Sequence, residues 1–183
     1  MKNLTIGKIR GLQQIANPDG IFTMCAMDHR GSLRTMIDEE SLGEAGYEEM
    51  VERKLELCSS LAKYASAVLL DPIFGAAQCI SHGVLPRRTG LLVSIEASGY
   101  SGEKEHRLTE LLSGWSVEKI KRLGASAVKI LVYYRPDLKQ LANQQLDTVN
   151  RVARECIKYD LPFLAEPKSY PIGKEINNPQ QFA

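Results

Sequence analysis

Short apolar runs alternate along the chain with longer stretches in which apolar residues recur every three or four positions. Five runs stand out, at residues 21–27 (IFTMCAM), 67–70 (AVLL), 91–95 (LLVSI), 127–134 (AVKILVYY) and 161–165 (LPFLA). They are short and rich in Val, Ile and Leu, and polar or turn residues follow them, which is the pattern of parallel strands buried on both faces. The stretch 44–63 carries Tyr47, Met50, Val51, Leu55, Cys58 and Leu61 on one helical stripe, with Glu49 and Arg53 spaced as an i,i+4 pair on the other face. A shorter helix is expected over 116–123, with Ser116 as N-cap, Glu118 in the first turn and Gly124 past the end. The stripe Leu146, Val149, Val152, Ala153, Cys156 predicts another over 145–158, stopped by Asp160 and Pro162, and a weaker one covers 76–81, ending at Gly83.

The alternation β, α, β, α, β, α, β, α, β argues for an α/β fold with a parallel sheet covered by helices. An open doubly wound sheet and a (β/α)8 TIM barrel both fit. The first run is followed by Asp28-His29-Arg30-Gly31 rather than by a G-x-G-x-x-G phosphate turn, and this favours the barrel. A barrel typically takes ~250 residues, whereas five strands are visible. In the last residues, Asn178 reads as an N-cap, Pro179 as the first helical position and Phe182 as the first apolar residue of a new helix. The expectation is that residues 1–183 form a single domain, the N-terminal part of a longer barrel cut at the start of the helix after strand five.

Charge and cysteine usage narrow the class of function. With 23 basic and 22 acidic residues the formal charge is +1, so nothing draws the chain in bulk to nucleic acid or an anionic membrane, and any bound anion must be held locally. Cys25, Cys58, Cys79 and Cys156 lie far apart with no C-x-x-C pair, as expected of reduced, mostly buried thiols in a cytoplasmic protein. The first 14 residues lack the continuous apolar core of a signal peptide, and no run approaches the ~18 apolar residues of a membrane span. The three histidines, His29, His82 and His106, form no metal motif, and no serine sits in G-x-S-x-G. Lysine and carboxylate chemistry without metal or cofactor remains.

Barrel sites are built at the C-terminal ends of strands, which singles out Asp28, His29 and Arg30, then Asp71, Glu96, Lys129 and Glu166. Lys129 interrupts an apolar run, so its ammonium belongs inside the barrel, where desolvation lowers a lysine pKa and carboxylates can pair with it. Glu166, held by Pro167, suits proton transfer beside such a lysine. Three consecutive side chains cannot all enter one site, and Arg30, starting the next helix, is the one to set aside as structural. Asp71 and Glu96 read equally well as caps or as partners of a nearby cation.

At these residues the chain resembles the tagatose 1,6-bisphosphate aldolase family of class I, Schiff-base aldolases. The matching stretches are Ala26 to Gly31 (AMDHRG), 66–72 (SAVLLDP), Glu96 with Gly99-Tyr100, Arg107-Leu108, 115–121, 124–134 (GASAVKILVYY) and 162–166 (PFLAE). The resemblance implies reversible cleavage of a phosphorylated ketose to dihydroxyacetone phosphate and an aldehyde phosphate through a lysine imine. It further implies that Glu166 is the proton-transferring glutamate, Lys129 a substrate-contacting lysine, and Asp28 with His29 the pair lining the pocket. Histidine stands at position 29 where the family has glutamine, which leaves the exact sugar open. Taken without the family, Lys129 is the imine candidate. Taken with it, the imine lysine lies on a sixth strand and the 183-residue chain alone is expected to be inactive. An aldolase for a sulfonated sugar phosphate, which shares Ala65 to Asp71, and a non-catalytic phosphosugar-binding regulatory barrel are the alternatives. The expected partner is a small sugar phosphate, and a homo-oligomer is left open.

Overall fold

The computed structural model describes residues 4–37, 45–173 and 175. The residues that suggest a new helix at 177–183, and Glu44 at the start of the 44–63 stretch, lie outside the described residues. The elements in chain order are α1 (Ile6–Ile15), β1 (Met24–Met27), α2 (Gly31–Ile37), α3 (Tyr47–Leu61), β2 (Ala67–Leu70), α4 (Ala76–Ser81), β3 (Gly90–Ser94), α5 (Val117–Arg122), β4 (Ala127–Tyr133), α6 (Lys139–Lys158) and β5 (Phe163–Lys168). The sheet runs β1-β2-β3-β4-β5 with every neighbouring pair parallel. No described helix is long and apolar enough to cross a membrane.

Side-chain alternation sorts each strand into two faces. Val68 and Leu70, Leu91 and Val93, and Val128, Ile130 and Val132 point outward into the main core, where Cys58, Val117, Ile120, Val152 and Cys156 of the helices meet them. The other face carries Ala67 and Leu69, Leu92, and Ala127 at its N-terminal end, closed by Ile15 of α1. Further along the same face come Ser94, Lys129 and Glu166. That apolar-to-polar change along the inner face places the chemistry at the C-terminal ends of the strands.

The sheet is strongly curled. In a flat sheet β1 and β4, three spacings of ~4.8 Å apart, would hold their side chains ~14 Å from each other, yet Asp28 after β1 and Lys129 on β4 meet at 2.9 Å. Inner-face side chains can converge in this way only when the sheet bends about them, as in a barrel wall.

Several local features depart from the expected pattern. Helix α1 was not anticipated. It docks on backbone contacts: a Cβ on Gly11 would come within 2.5 Å of the Ser126 carbonyl oxygen, and one on Gly90 within 2.3 Å of that of Gln14. The Ser66 hydroxyl donates to the Ile15 carbonyl at 2.7 Å and fastens its end. Helix α6 begins at Lys139, six residues before 145, and Gln145 occupies a buried stripe position within it, donating to the Arg107 carbonyl at 3.2 Å. In α3 the Glu49–Arg53 pair does not form. Glu49 folds back to accept from Gly46 N at 2.7 Å, capping the helix, and Arg53 pairs with Glu56. Strand β5 continues past 165 to Lys168, with Pro167 opposite Val132 of β4. Helix α5 starts as expected, with the Ser116 hydroxyl accepting from Lys119 N.

Candidate active site

Lys129 is buried at the centre of the inner face. Its ammonium lies 2.9 Å from Asp28, 3.0 Å from Glu96 and 3.0 Å from Glu166. Sheet register assembles this cluster. Ser94 pairs with Lys129, so Glu96, two residues on, shares the inner face. Glu166 pairs with Leu131, itself two residues beyond Lys129. Asp28 follows β1 by one residue and shares a face with Ala26. Asp28, Glu96 and Lys129 are largely screened from solvent, whereas the Glu166 side chain, on the outermost strand, is 57% exposed.

The lysine pKa moves in the direction opposite to the one burial alone predicts. Burial acts most strongly and disfavours the charge, but the carboxylates of Glu96 and Asp28 together with the hydrogen bond donated to Glu166 outweigh it, and the pKa is raised above the ordinary lysine value. Lys129 is therefore an ammonium at neutral pH. Glu96 shows the complementary effect, its carboxyl pKa raised by burial and only partly restored by Lys129.

The second shift has a measurable consequence. Between the ordinary carboxyl value and the raised one, native Glu96 keeps a proton that the unfolded chain has lost, so this group makes stability fall as pH rises across the window. Glu96→Gln is expected to flatten the stability–pH curve from about pH 4.5 upward. Urea denaturation across pH, wild type against variant, checks this. A difference between the two proteins that does not change with pH would mean that Glu96 titrates normally.

Not every sequence candidate enters the cluster. Asp71 lies at the end of β2, fully buried, accepting from Ile73 N and Phe74 N at 2.9 and 2.7 Å and pairing with Lys54 of α3 at 3.0 Å. It is both a cap and an ion-pair partner. His29 lines the same cavity as Lys129 but its side chain is exposed. Arg30 precedes α2, and its Nη2 reaches across to donate to the Glu96 carbonyl at 2.7 Å.

Lys54 went unrecognised in the sequence. Its ammonium is buried and donates to the main-chain carbonyls of Met27 and, at 2.6 Å, His29, the two residues that bracket Asp28. The signal was present: position 54 lies four after Met50, three after Val51 and four before Cys58, on the buried stripe of α3.

Asp28, Lys129, Glu166, His29 and Arg30 line one open cavity of about 390 Å3, with Tyr133 and Lys168 at its rim. A fixed ammonium ringed by carboxylates, one of them accessible, can orient a polyol by hydrogen bonds and exchange a proton with it. Asp28, Glu96 and Glu166 are the carboxylates nearest to a metal-binding arrangement, but they surround the ammonium, and no group of three or more His, Cys, Asp or Glu side chains among the described residues is placed to hold a metal ion.

Comparison with known proteins agrees with this architecture. The DeoC/LacD family aldolase model matches residues 22–181. The tagatose 1,6-diphosphate aldolase of Staphylococcus haemolyticus is 33% identical over 96% of this chain and 54% of its own length, and that of Lactococcus lactis subsp. lactis 35% identical over 91% and 51%. The chain thus spans about half the length of the curated relatives it matches. Among solved structures, an archaeal fructose 1,6-bisphosphate aldolase superposes with a TM-score of 0.52 at 20% identity, over 89% of this chain and 58% of the other, a likeness of fold.

Proposed function

Because the chain belongs to the DeoC/LacD family of aldolases, we propose that it forms the first five strands of a (β/α)8 barrel and carries part of the active site of a class I aldolase. The substrate is tagatose 1,6-bisphosphate or a close relative, cleaved reversibly between C3 and C4 to dihydroxyacetone phosphate and an aldehyde phosphate. The relatives named for tagatose 1,6-diphosphate aldolase support the substrate class.

The observation that carries the division of roles is the cluster of three carboxylates on Lys129. An imine-forming lysine must attack as a neutral amine, and Lys129 is held as a cation. It is a substrate-binding group, donating to the sugar hydroxyls, and the imine belongs to a lysine elsewhere in the complete barrel. In the cleavage direction the C3–C4 electron pair moves into the iminium and the C4 hydroxyl proton passes to Glu166. Asp28 and Lys129 fix the sugar between them.

The test is reductive trapping. Dihydroxyacetone phosphate and borohydride are added to this chain alone and to a barrel completed with the C-terminal half of the Lactococcus lactis relative, followed by peptide mass mapping. No adduct is expected on the chain alone, and one is expected on a lysine of the added half. An adduct on Lys129 would overturn the assignment.

A further inference from the structure

Arg107 lies in the segment that joins β3 to α5 and takes no part in the Lys129 cluster. Its guanidinium stands 4.7 Å from the ring centre of Tyr100, 4.7 Å from that of Tyr170 and 5.7 Å from that of Tyr133. The rings come from the ends of three successive strands: Tyr100 follows β3, Tyr133 closes β4 and Tyr170 follows β5. Tyr133 sits edge-on to the other two, at 5.3 and 6.1 Å. Among the described residues the guanidinium has no carboxylate within ion-pair distance, and its one side-chain hydrogen bond runs from Nε to the Lys104 carbonyl at 2.9 Å. A planar guanidinium stacks on aromatic faces and is attracted to them as a charge within about 6 Å. The rings are therefore what holds this cation. The main chain repeats the connection. Arg107 N donates to the Tyr170 hydroxyl at 3.3 Å, Ser101 and Leu108 pair across the loop at 2.9 Å in both directions, and the Thr109 hydroxyl accepts from Tyr133 N at 3.1 Å. Tyr170 is only 2% exposed, whereas Tyr133 lines the cavity.

We propose that Arg107 is a positioning residue for the substrate cavity: it clamps the loops after β3 and β5 to each other and fixes Tyr133 as a rigid part of the wall. Tyr133 stands on the same inner-face row as Lys129 and Leu131, closer to the mouth. The cavity wall also includes residues 97–99, just before Tyr100, and Lys168, two residues before Tyr170. Three pieces of wall from three strand ends thus keep one spacing through a single guanidinium. Arg107 itself is not among the lining residues, so it acts on how tightly a sugar is held and not on the proton transfer at Glu166. The clamp stands on the stacking geometry, whereas its effect on a sugar rests on the function proposed above.

The experiment has two arms, each run on wild type, Arg107→Met, Arg107→Lys and Tyr100→Leu. In the 183-residue chain, amide hydrogen exchange followed by NMR reads the clamp. Arg107→Met should speed exchange at Ser101, Leu108 and Tyr133 about tenfold or more, while Leu69 and Leu92 in the centre of the sheet keep the wild-type rate. Arg107→Lys should fall between the two, since the charge survives without the plane. In the completed barrel, Arg107→Met should raise KM for tagatose 1,6-bisphosphate about fivefold or more with kcat within about threefold of the parent, and Arg107→Lys should restore part of the loss. Unchanged exchange in Arg107→Met, or equal acceleration at Leu69 and Leu92, would overturn the clamp. An unchanged KM, or a fall in kcat without a rise in KM, would overturn the positioning role. Should Arg107→Met fail to fold by circular dichroism, Arg107→Lys and Tyr100→Leu decide, the latter at a ring already 40% exposed. About threefold faster exchange at Ser101 and Leu108 with about threefold higher KM supports the inference, and no change in either variant removes it. A completed wild-type barrel that cleaves no sugar bisphosphate would refute the aldolase reading and with it the effect on the sugar, and exchange in the chain alone would still decide the clamp.

Discussion

Replacing Lys54 with methionine is expected to destabilise the chain by about 3–5 kcal/mol, the usual consequence of removing one partner from a buried ion pair. Both members of the Lys54–Asp71 pair are shut off from water, with side-chain exposures of 1% and 0%. Methionine fills nearly the same volume, so little of the loss comes from a cavity. What it leaves is an Asp71 carboxylate without its cation and two main-chain carbonyls, of Met27 and His29, without their donor. Those carbonyls flank Asp28, so the same substitution should release the residue that reaches Lys129 at 2.9 Å. Guanidinium denaturation measures the first effect. The double variant Lys54→Met with Asp71→Asn separates charge from packing. Asparagine keeps an oxygen for the Ile73 and Phe74 amides and removes the orphaned charge, so it should recover part of the loss. A cost below about 1 kcal/mol for Lys54→Met would show that the pair is no more than neutral to the fold, as some buried pairs are.

How much of this was legible in the sequence depends on what each residue had to reveal. The strands were visible because buried parallel strands are short apolar runs with sharp polar ends, and all five begin within three residues of the expected position. Lys129 was visible for the same reason, as a charge set in such a run. Glu96 was visible only as a possibility, since a carboxylate after a strand has many local uses. The pairing of Ser94 with Lys129 decides the matter, and register is a property of two strands that neither displays alone. The net direction of the Lys129 pKa was not legible, because burial can be inferred from one segment, whereas the three opposing carboxylates come from the segment after β3, from β5 and from the residue after β1.

The elements that were missed share a cause. Lys54 and Gln145 are polar residues on buried stripes, and their partners, chiefly main-chain carbonyls of distant segments, leave no mark in local periodicity. Helix α1 docks through Gly11 and Gly90, where the signal is the absence of a side chain. Arg30 was set aside as structural because three successive residues cannot all face one site. The structure makes it both a brace to Glu96 and a wall of the cavity.

In the completed barrel, Glu166→Gln is expected to lower kcat by about 10²–10⁴-fold, the range associated with a positioned proton-transfer group, with KM changed little. Glutamine is nearly isosteric and can still accept from Lys129, so the 3.0 Å contact and the geometry it fixes survive. What disappears is the capacity to take the hydroxyl proton. Glu166 is the residue of the cluster where that distinction can be read. In the 183-residue chain its side chain is more than half exposed, whereas Glu96 and Asp28 are enclosed against the lysine. Lys129→Met should instead raise KM, because it removes the donor proposed to orient the sugar, and should lower kcat as well by freeing Glu166. The effects of the two variants should then be less than additive in the double variant, since both disturb one hydrogen-bonded unit. Steady-state cleavage of tagatose 1,6-bisphosphate by the four proteins measures all of this. A kcat for Glu166→Gln within about threefold of the parent would assign proton transfer to another group, and full additivity would mean that Lys129 and Glu166 act independently despite their contact.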